Sequence, residues 1–211
     1  MKIAVIAANG RSGQAFVKAA LAAGHSIRAG VHHASTLSAQ PNLTIMPCDA
    51  TNKDEVISLI TNQDAVVSFI GHVKDSAPDV QTVAMQTIIS AMQATGVTRI
   101  VSLTGTGVRY PGDHIPLIDR ILNACISVLD PARVTDGRNH VKVLEESGMN
   151  WTVLRVLKLR NVAPQPFSLQ LHGPTKWYVS REEVAQAALH VLEDGSYIGQ
   201  APILSKEAKH A

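Results

Sequence analysis

The chain opens on a short apolar run over residues 2–7 that stops at Asn9-Gly10, and apolar positions then recur at helical spacing over 12–23 until Gly24 ends them. That is strand, glycine turn, helix. Further strands are predicted over 26–31, 43–46, 65–70, 99–103 and 151–156, with helical stretches between them. Val80, Val83, Ala84, Thr87, Ile88 and Ala91 follow the i, i+3, i+4, i+7 spacing of one helix face, which Gly96 closes. Thr51 and Ser180 stand where N-caps are expected, and Glu183 makes Ser180 the start of a capping box. Val184, Ala187, Ala188, Val191 and Leu192 give that last helix its buried face. Strands alternating with helices predict an α/β fold with a doubly wound parallel sheet and helices on both faces. Over 157–179 the pattern lapses into Pro164, Pro166, Gly173 and Pro174. This loop-rich excursion is expected to form a small C-terminal lid on the substrate side of a single domain spanning 1–211.

Composition narrows the class. With 211 residues, 45% hydrophobic and 17% charged, the chain can bury one ordinary core and is too apolar for disorder. No apolar run approaches the ~20 residues that cross a bilayer, and the start lacks a signal-peptide cleavage pattern, so no membrane association and a cytoplasmic location are expected. Cys48 and Cys125 have no CxxC spacing and are expected to be buried thiols in a reducing compartment. The net charge of +2 is uninformative, but its distribution is not. Lys2, Arg11, Lys18 and Arg28 precede the first acid, Asp49. These bases are scattered and only Phe16 among them is aromatic, which argues against a nucleic-acid groove and for a small anionic ligand. The histidines form no HExxH or Cys/His cluster, so no metal is expected, and the absence of GxxxxGK[ST] removes an ATPase reading.

The turn Ala7-Ala8-Asn9-Gly10-Arg11-Ser12-Gly13 sits between the first strand and the first helix, where backbone amides and a helix N-terminus can hold a pyrophosphate. Gly10 permits close approach of phosphate and Gly13 close packing of helix on strand, although Ala7 replaces the first glycine of the usual fingerprint. With this turn, Met46-Pro47-Cys48-Asp49, Asp64-Ala65-Val66-Val67-Ser68, Gly96-Val97-Thr98-Arg99-Ile100-Val101-Ser102 and the run from Glu146 to Arg155, the chain resembles the atypical short-chain dehydrogenases/reductases. The likeness is to their small NAD(P)H-binding branch, which includes NmrA-like regulators and biliverdin-IXβ/flavin reductases. It implies a Rossmann-like fold with the turn residues Ala8 to Gly13 on the cofactor. It also implies that Asp49 with Ala50 contacts the adenine, that Ile70 and Gly71 line the adenosine, and that Thr104 lies beside the nicotinamide.

Charge selects between dinucleotides. The carboxylate that would bind a ribose 2′-hydroxyl about 20 residues after the turn is missing, while Arg11, Arg28 and His32 are available for a 2′-phosphate, so NADP is expected, with NAD possible. The superfamily's YxxxK acid is absent: four residues after Tyr110, Tyr178 and Tyr197 come His114, Glu182 and Ala201. The helix that should carry it offers His140 and Lys142 as orienting or proton-donating groups, with a solvated helix face as the alternative. Thr104 is the hydroxyl expected at the carboxyl end of the fifth strand; where the flavin-reducing relative has a serine one residue further on, this chain has Gly105, and Thr106 is the candidate to replace that serine. Together these readings predict an NADPH-dependent oxidoreductase passing hydride to a flavin, quinone or similar small electron-poor substrate. The alternative is a non-catalytic dinucleotide-binding redox sensor; the chain is expected to be a monomer or homodimer.

Overall fold

Seven strands of the main sheet run parallel, and their order decides where a ligand can sit. The structure, a computed structural model, describes residues 1–207; the last four residues of the expected domain lie outside the described residues. The main sheet runs β3 (Leu43–Pro47), β2 (Ser26–Val31), β1 (Lys2–Ile6), β4 (Ala65–Ser68), β5 (Arg99–Gly105), β6 (Asn150–Val156), β10 (Ile203–Lys206) and β8 (Phe167–Gln170). All neighbours are parallel except the β10–β8 edge. Strand order reverses between β1 and β4, the switch point at which open α/β sheets leave a crevice beyond the strand ends. The central strands are continuous Val/Ile/Ala runs because both of their faces are covered.

On one face lie α1 (Arg11–Ala22) and α6 (Arg181–Glu193), which bury Phe16, Val17, Val184 and Val191. On the other lie α2 (Lys53–Ile60), α3 (Val80–Thr95) and α5 (Pro131–Glu145), burying Leu59, Met85, Ile88 and Leu144. The doubly wound α/β architecture is the one the pattern predicts. Ser180 caps α6 by accepting from the Glu183 amide, but the Glu183 carboxylate does not return to Ser180. It takes the Gln165 amide and the buried Lys176 ammonium instead, which fastens the excursion to α6.

Several expectations are corrected. Asn52, not Thr51, caps α2, accepting from the amides of Asp54 and Glu55, because Thr51 spends its hydroxyl on Asp49. The strand expected over 65–70 ends at Ser68, so Phe69 and Ile70 turn away into a loop. The excursion is not only loop: it carries β7 (Leu159–Arg160), β8 and β9 (Val179–Ser180). The pattern also left unassigned the helix α4 (Leu117–Leu129) and the strand β10. Cys48 is buried as expected, whereas Cys125 on α4 is exposed. No helix among the described residues is long and apolar enough to cross a membrane.

The loop after β5 is held from below by Arg155 of β6, which is fully buried. Its guanidinium donates to the carbonyls of Ala201, Val108 and Leu171 and to both oxygens of Asp113. The Tyr110 ring packs over it, 5.0 Å from centroid to guanidinium carbon. Every donor is used, so this cation is a fixed brace.

Candidate functional site

The glycine turn is built for close approach. Ala7 takes φ 58°, which folds the chain back so that the Gly10 amide donates to its carbonyl. A Cβ on Gly13 would lie 2.4 Å from the Ala7 carbonyl oxygen and 2.7 Å from the Ala8 Cα, so only glycine lets α1 press against the end of β1. The helix starts on Gly10 with no side-chain cap and no acid in its first turn. Its leading amides therefore stay open to an anion, a donor set that fits a pyrophosphate. Asn9 shapes the neighbouring loop: its Oδ1 accepts from the amide and hydroxyl of Thr36, and its Nδ2 donates to the Ala34 carbonyl.

On the adenosine side, Asp49 follows β3 and lies 3.6 Å from His32 Nε2, with Ala50 next to it. The amide and then the hydroxyl of Thr51 hold the Asp49 carboxyl below its usual range. His32 is exposed and stacks on His33. Arg28 does not reach this region: its guanidinium donates to the carbonyls of Ser58, Leu59 and Thr61 and closes the C-terminus of α2.

Beyond the carboxyl ends of β4, β5 and β6 lies a cavity of about 330 Å³ that brings Ser12, Ile70, Gly71 and Thr104 together. Its apolar wall is Phe69, Leu103, Val108, Val156 and Leu159. The Thr104 hydroxyl has no hydrogen-bond partner among the described residues. Gly137 of α5 lies so close that a Cβ there would come within 3.3 Å of that hydroxyl. Thr106 does not replace the serine absent at Gly105: its hydroxyl accepts from Asn123 Nδ2 and helps to dock α4.

The two helix residues expected to act do not reach the cavity. His140 is buried between α5 and β5, its Nε2 3.4 Å from Ser102 Oγ. Burial pushes its pKa down to about 4, against the pull of Asp136, so it is neutral at physiological pH and is no proton donor. Lys142 is exposed and lies 3.7 Å from Glu146, on the solvated face of the helix. Tyr110 is also out of place, because its hydroxyl donates to Glu145 and burial raises its pKa.

Sequence reasoning missed His72 and Asp136. His72 lines the cavity, and its Nε2 donates to Asp136 across 2.8 Å. The same carboxylate accepts the amides of Gln81 and Thr82 and the Thr82 hydroxyl, capping α3 from another helix. Burial opposes its ionisation, but these donors together hold the Asp136 carboxyl below the usual range. No local spacing announces this group, since its members are 54 and 64 residues apart.

The comparisons agree with this geometry. A sequence model of the NAD(P)H-binding family matches residues 7–195. A wide-type short-chain dehydrogenase/reductase from Veillonella parvula, solved in complex with NADP, is similar in structure, with a TM-score of 0.82 and 19% identity over 100% of this chain and 96% of that one. A candidate NADH-flavin reductase from Streptococcus pneumoniae gives a TM-score of 0.78 and 21% identity, covering 98% of this chain and 100% of that one. A candidate epimerase from Bacteroides thetaiotaomicron also scores 0.78, with 19% identity, over 100% and 99%. At these identities the structural likeness speaks for the Rossmann-like fold, while the family model spans the glycine turn, the crevice and α6. The chain belongs to the NAD(P)H-binding family.

Proposed function

We propose that the protein is an NADPH-dependent reductase that passes hydride to a flavin, quinone or similar electron-poor ring. The observation that carries this reading is the cavity beside the glycine turn: apolar walls, a free Thr104 hydroxyl and no phenol among its lining residues. When bound, reduced nicotinamide supplies the hydride. The open amides of α1 hold the pyrophosphate and Ser12 continues that wall into the cavity. Thr104 orients the ring that lies against it, and the apolar residues exclude water from the two faces. An electron-poor ring needs no positioned tyrosine acid, because the proton that balances the hydride comes from solvent. The missing YxxxK is then not a loss.

NADP is favoured over NAD because Arg11 opens α1 with no carboxylate paired to it and no acid precedes Asp49. His32 weakens that preference, being engaged with Asp49. A second reading, a dinucleotide-binding sensor, is favoured by one specific feature: α4 exposes Leu117, Ile121, Val128 and Leu129 along its outer side. Anaerobic NADPH oxidation against flavins, quinones and aldehydes separates the two. Turnover with Thr104→Val reduced well beyond Tyr178→Phe and Tyr197→Phe supports the reductase. No turnover with any acceptor, in a protein that binds NADPH, leaves the sensor.

A further inference from the structure

Reduction adds a hydride and a proton to an acceptor, and the cavity wall decides which side chain can bring the proton in. Among the residues lining the cavity, only His72 and Arg133 are ionisable. A guanidinium keeps its protons, whereas imidazole both gives and takes one. Arg133 is also engaged elsewhere, its Nε lying 3.0 Å from Asp130 Oδ2. The hydroxyls of Ser12 and Thr104 and the amides of Gln81 and Asn123 can hydrogen-bond a ligand, but they do not ionise in water.

The imidazole is held in one orientation. Its side chain is 8% exposed, and its Nε2 lies 2.8 Å from an oxygen of Asp136, whose side chain is 1% exposed. That carboxylate is pinned in turn by the Gln81 amide and by the amide and hydroxyl of Thr82, so it fixes the ring as well as accepting from it. The proton on Nε2 is committed to Asp136, and Nδ1 is the nitrogen left for a ligand. Nδ1 has no partner among the described residues, and it is not sealed from solvent as His140 Nδ1 is. One turn of α5 ties this imidazole to Thr104. Asp136 takes His72, while its neighbour Gly137 would place a Cβ 3.3 Å from the Thr104 hydroxyl. Because Gly137 carries no side chain, the turn leaves room beside that hydroxyl. The buried Asp136 carboxylate is also the counter-charge for the imidazolium that forms whenever the ring takes a second proton.

We propose that His72, oriented by Asp136, is the catalytic residue that hands the proton to the reduced ring, and that the substrate is therefore a ring with an oxygen or nitrogen to protonate. This rests on the reductase reading and gives the route by which the solvent proton arrives. As the acceptor ring takes the hydride with its electron pair and NADPH becomes NADP⁺, the Nδ1–H bond of the imidazolium breaks and its electrons stay on Nδ1. The proton bonds to the ring oxygen or nitrogen, and water then recharges the imidazole. Two variants test this. His72→Gln keeps an N–H for Asp136 but cannot transfer a proton, and His72→Ala leaves a space that free imidazole can fill. Asp136 retains its three other donors in both, and thermal melts check that they fold. Anaerobic stopped-flow mixing with riboflavin and duroquinone reads hydride transfer, and calorimetry reads NADPH binding. Both variants slow transfer by about a hundredfold or more, with NADPH affinity within about threefold of wild type. Added imidazole speeds His72→Ala about tenfold or more and leaves His72→Gln unchanged. Without any turnover, nitrogen NMR of histidine-labelled protein finds the neutral His72 ring protonated on Nε2, with His72→Gln assigning its signals. A slowing of less than about threefold, a loss that imidazole does not rescue, or a matching loss of NADPH affinity overturns the role of His72 and leaves the reductase standing. So does a neutral ring protonated on Nδ1. A wild type that binds NADPH and reduces neither acceptor overturns both readings.

Discussion

Replacing Gly13 by alanine adds one methyl group, and the structure sets what that methyl must displace. Its Cβ would lie 2.4 Å from the Ala7 carbonyl oxygen, 2.7 Å from the Ala8 Cα and 2.8 Å from the Ala8 carbonyl oxygen. All three are backbone atoms of a turn already held by the bond from the Gly10 amide to the Ala7 carbonyl, so no flexible side chain can yield. Reaching ordinary van der Waals contact requires a separation of about 1 Å between α1 and the end of β1. Overpacking of this kind costs about 1–3 kcal/mol, and at ~2–4 °C per kcal/mol for a domain of this size the melting temperature falls by roughly 2–12 °C. The same shift moves the open amides of α1 off the pyrophosphate. Losing one charge-assisted hydrogen bond at ~1.5–3 kcal/mol weakens NADPH binding by roughly tenfold to 150-fold, and losing two weakens it further. Calorimetric titration with NADPH, beside thermal melts of the same samples, measures both effects. A folded Gly13→Ala protein with affinity within threefold of wild type would place the dinucleotide elsewhere and refute the assignment of the turn.

Three further outcomes follow from the buried groups. Arg155→Met leaves Asp113 buried without its cation and three carbonyls without a donor, so stability falls by about 3–5 kcal/mol in denaturant titrations; a loss under 1 kcal/mol would show that Arg155 is no brace. His140 has a folded pKa of about 4, depressed below its unfolded value, so the unfolded chain binds the extra proton and stability is lost as pH falls from about 6.5 to 4. The loss is on the order of 3 kcal/mol, and His140→Leu flattens that segment of the pH–stability curve; an unchanged slope would mean that the imidazole is solvated. Burial pushes the Cys48 thiol up to about 12, whereas Cys125 is exposed, so a thiol reagent labels one cysteine in the native protein and two after denaturation. Rapid labelling of both in the native state would contradict the packing around Cys48.

The parts of this molecule legible in the sequence are those whose signal is local. The first strand, the glycine turn and α1 occupy one continuous stretch, and the constraint on Gly13 acts between residues six apart or fewer. The cap of α6 is likewise contained within one helix; the face of α3 is legible only in part, since Ala84, Ile88 and Ala91 are buried as the spacing predicts but Val83 is exposed and Met85, Ile89 and Met92 complete the buried side. β8 and β10 escaped because they form by pairing with each other at the sheet edge, a contact between distant parts of the chain that no local period announces. Helix α4 escaped for the opposite reason: its apolar residues lie on the exposed side, so an inward-facing stripe does not describe it.

The site divides along the same line, and the division explains which expectations failed. Arg28 was assigned to the ligand on charge alone, but a base on a strand next to a helix C-terminus has three carbonyls within reach, and these take the guanidinium first. His140 and Lys142 share a helix with Asp136 and Gly137, yet only the last two face the end of β5 and the start of α3. Helical phase decides this, and phase depends on where the helix is anchored: Asp136 accepts from Gln81, Thr82 and His72, residues far away in sequence. The Asp136 carboxylate thus fixes α3, the His72 imidazole and the rotation of α5 at once. Rotation then puts Gly137 against Thr104, sends His140 behind the strand and turns Lys142 to solvent. One long-range carboxylate, invisible to any window of the sequence, settles which side chains of α5 can meet a ligand and leaves Thr104 with the only hydroxyl of its strand end that is still free to bind one.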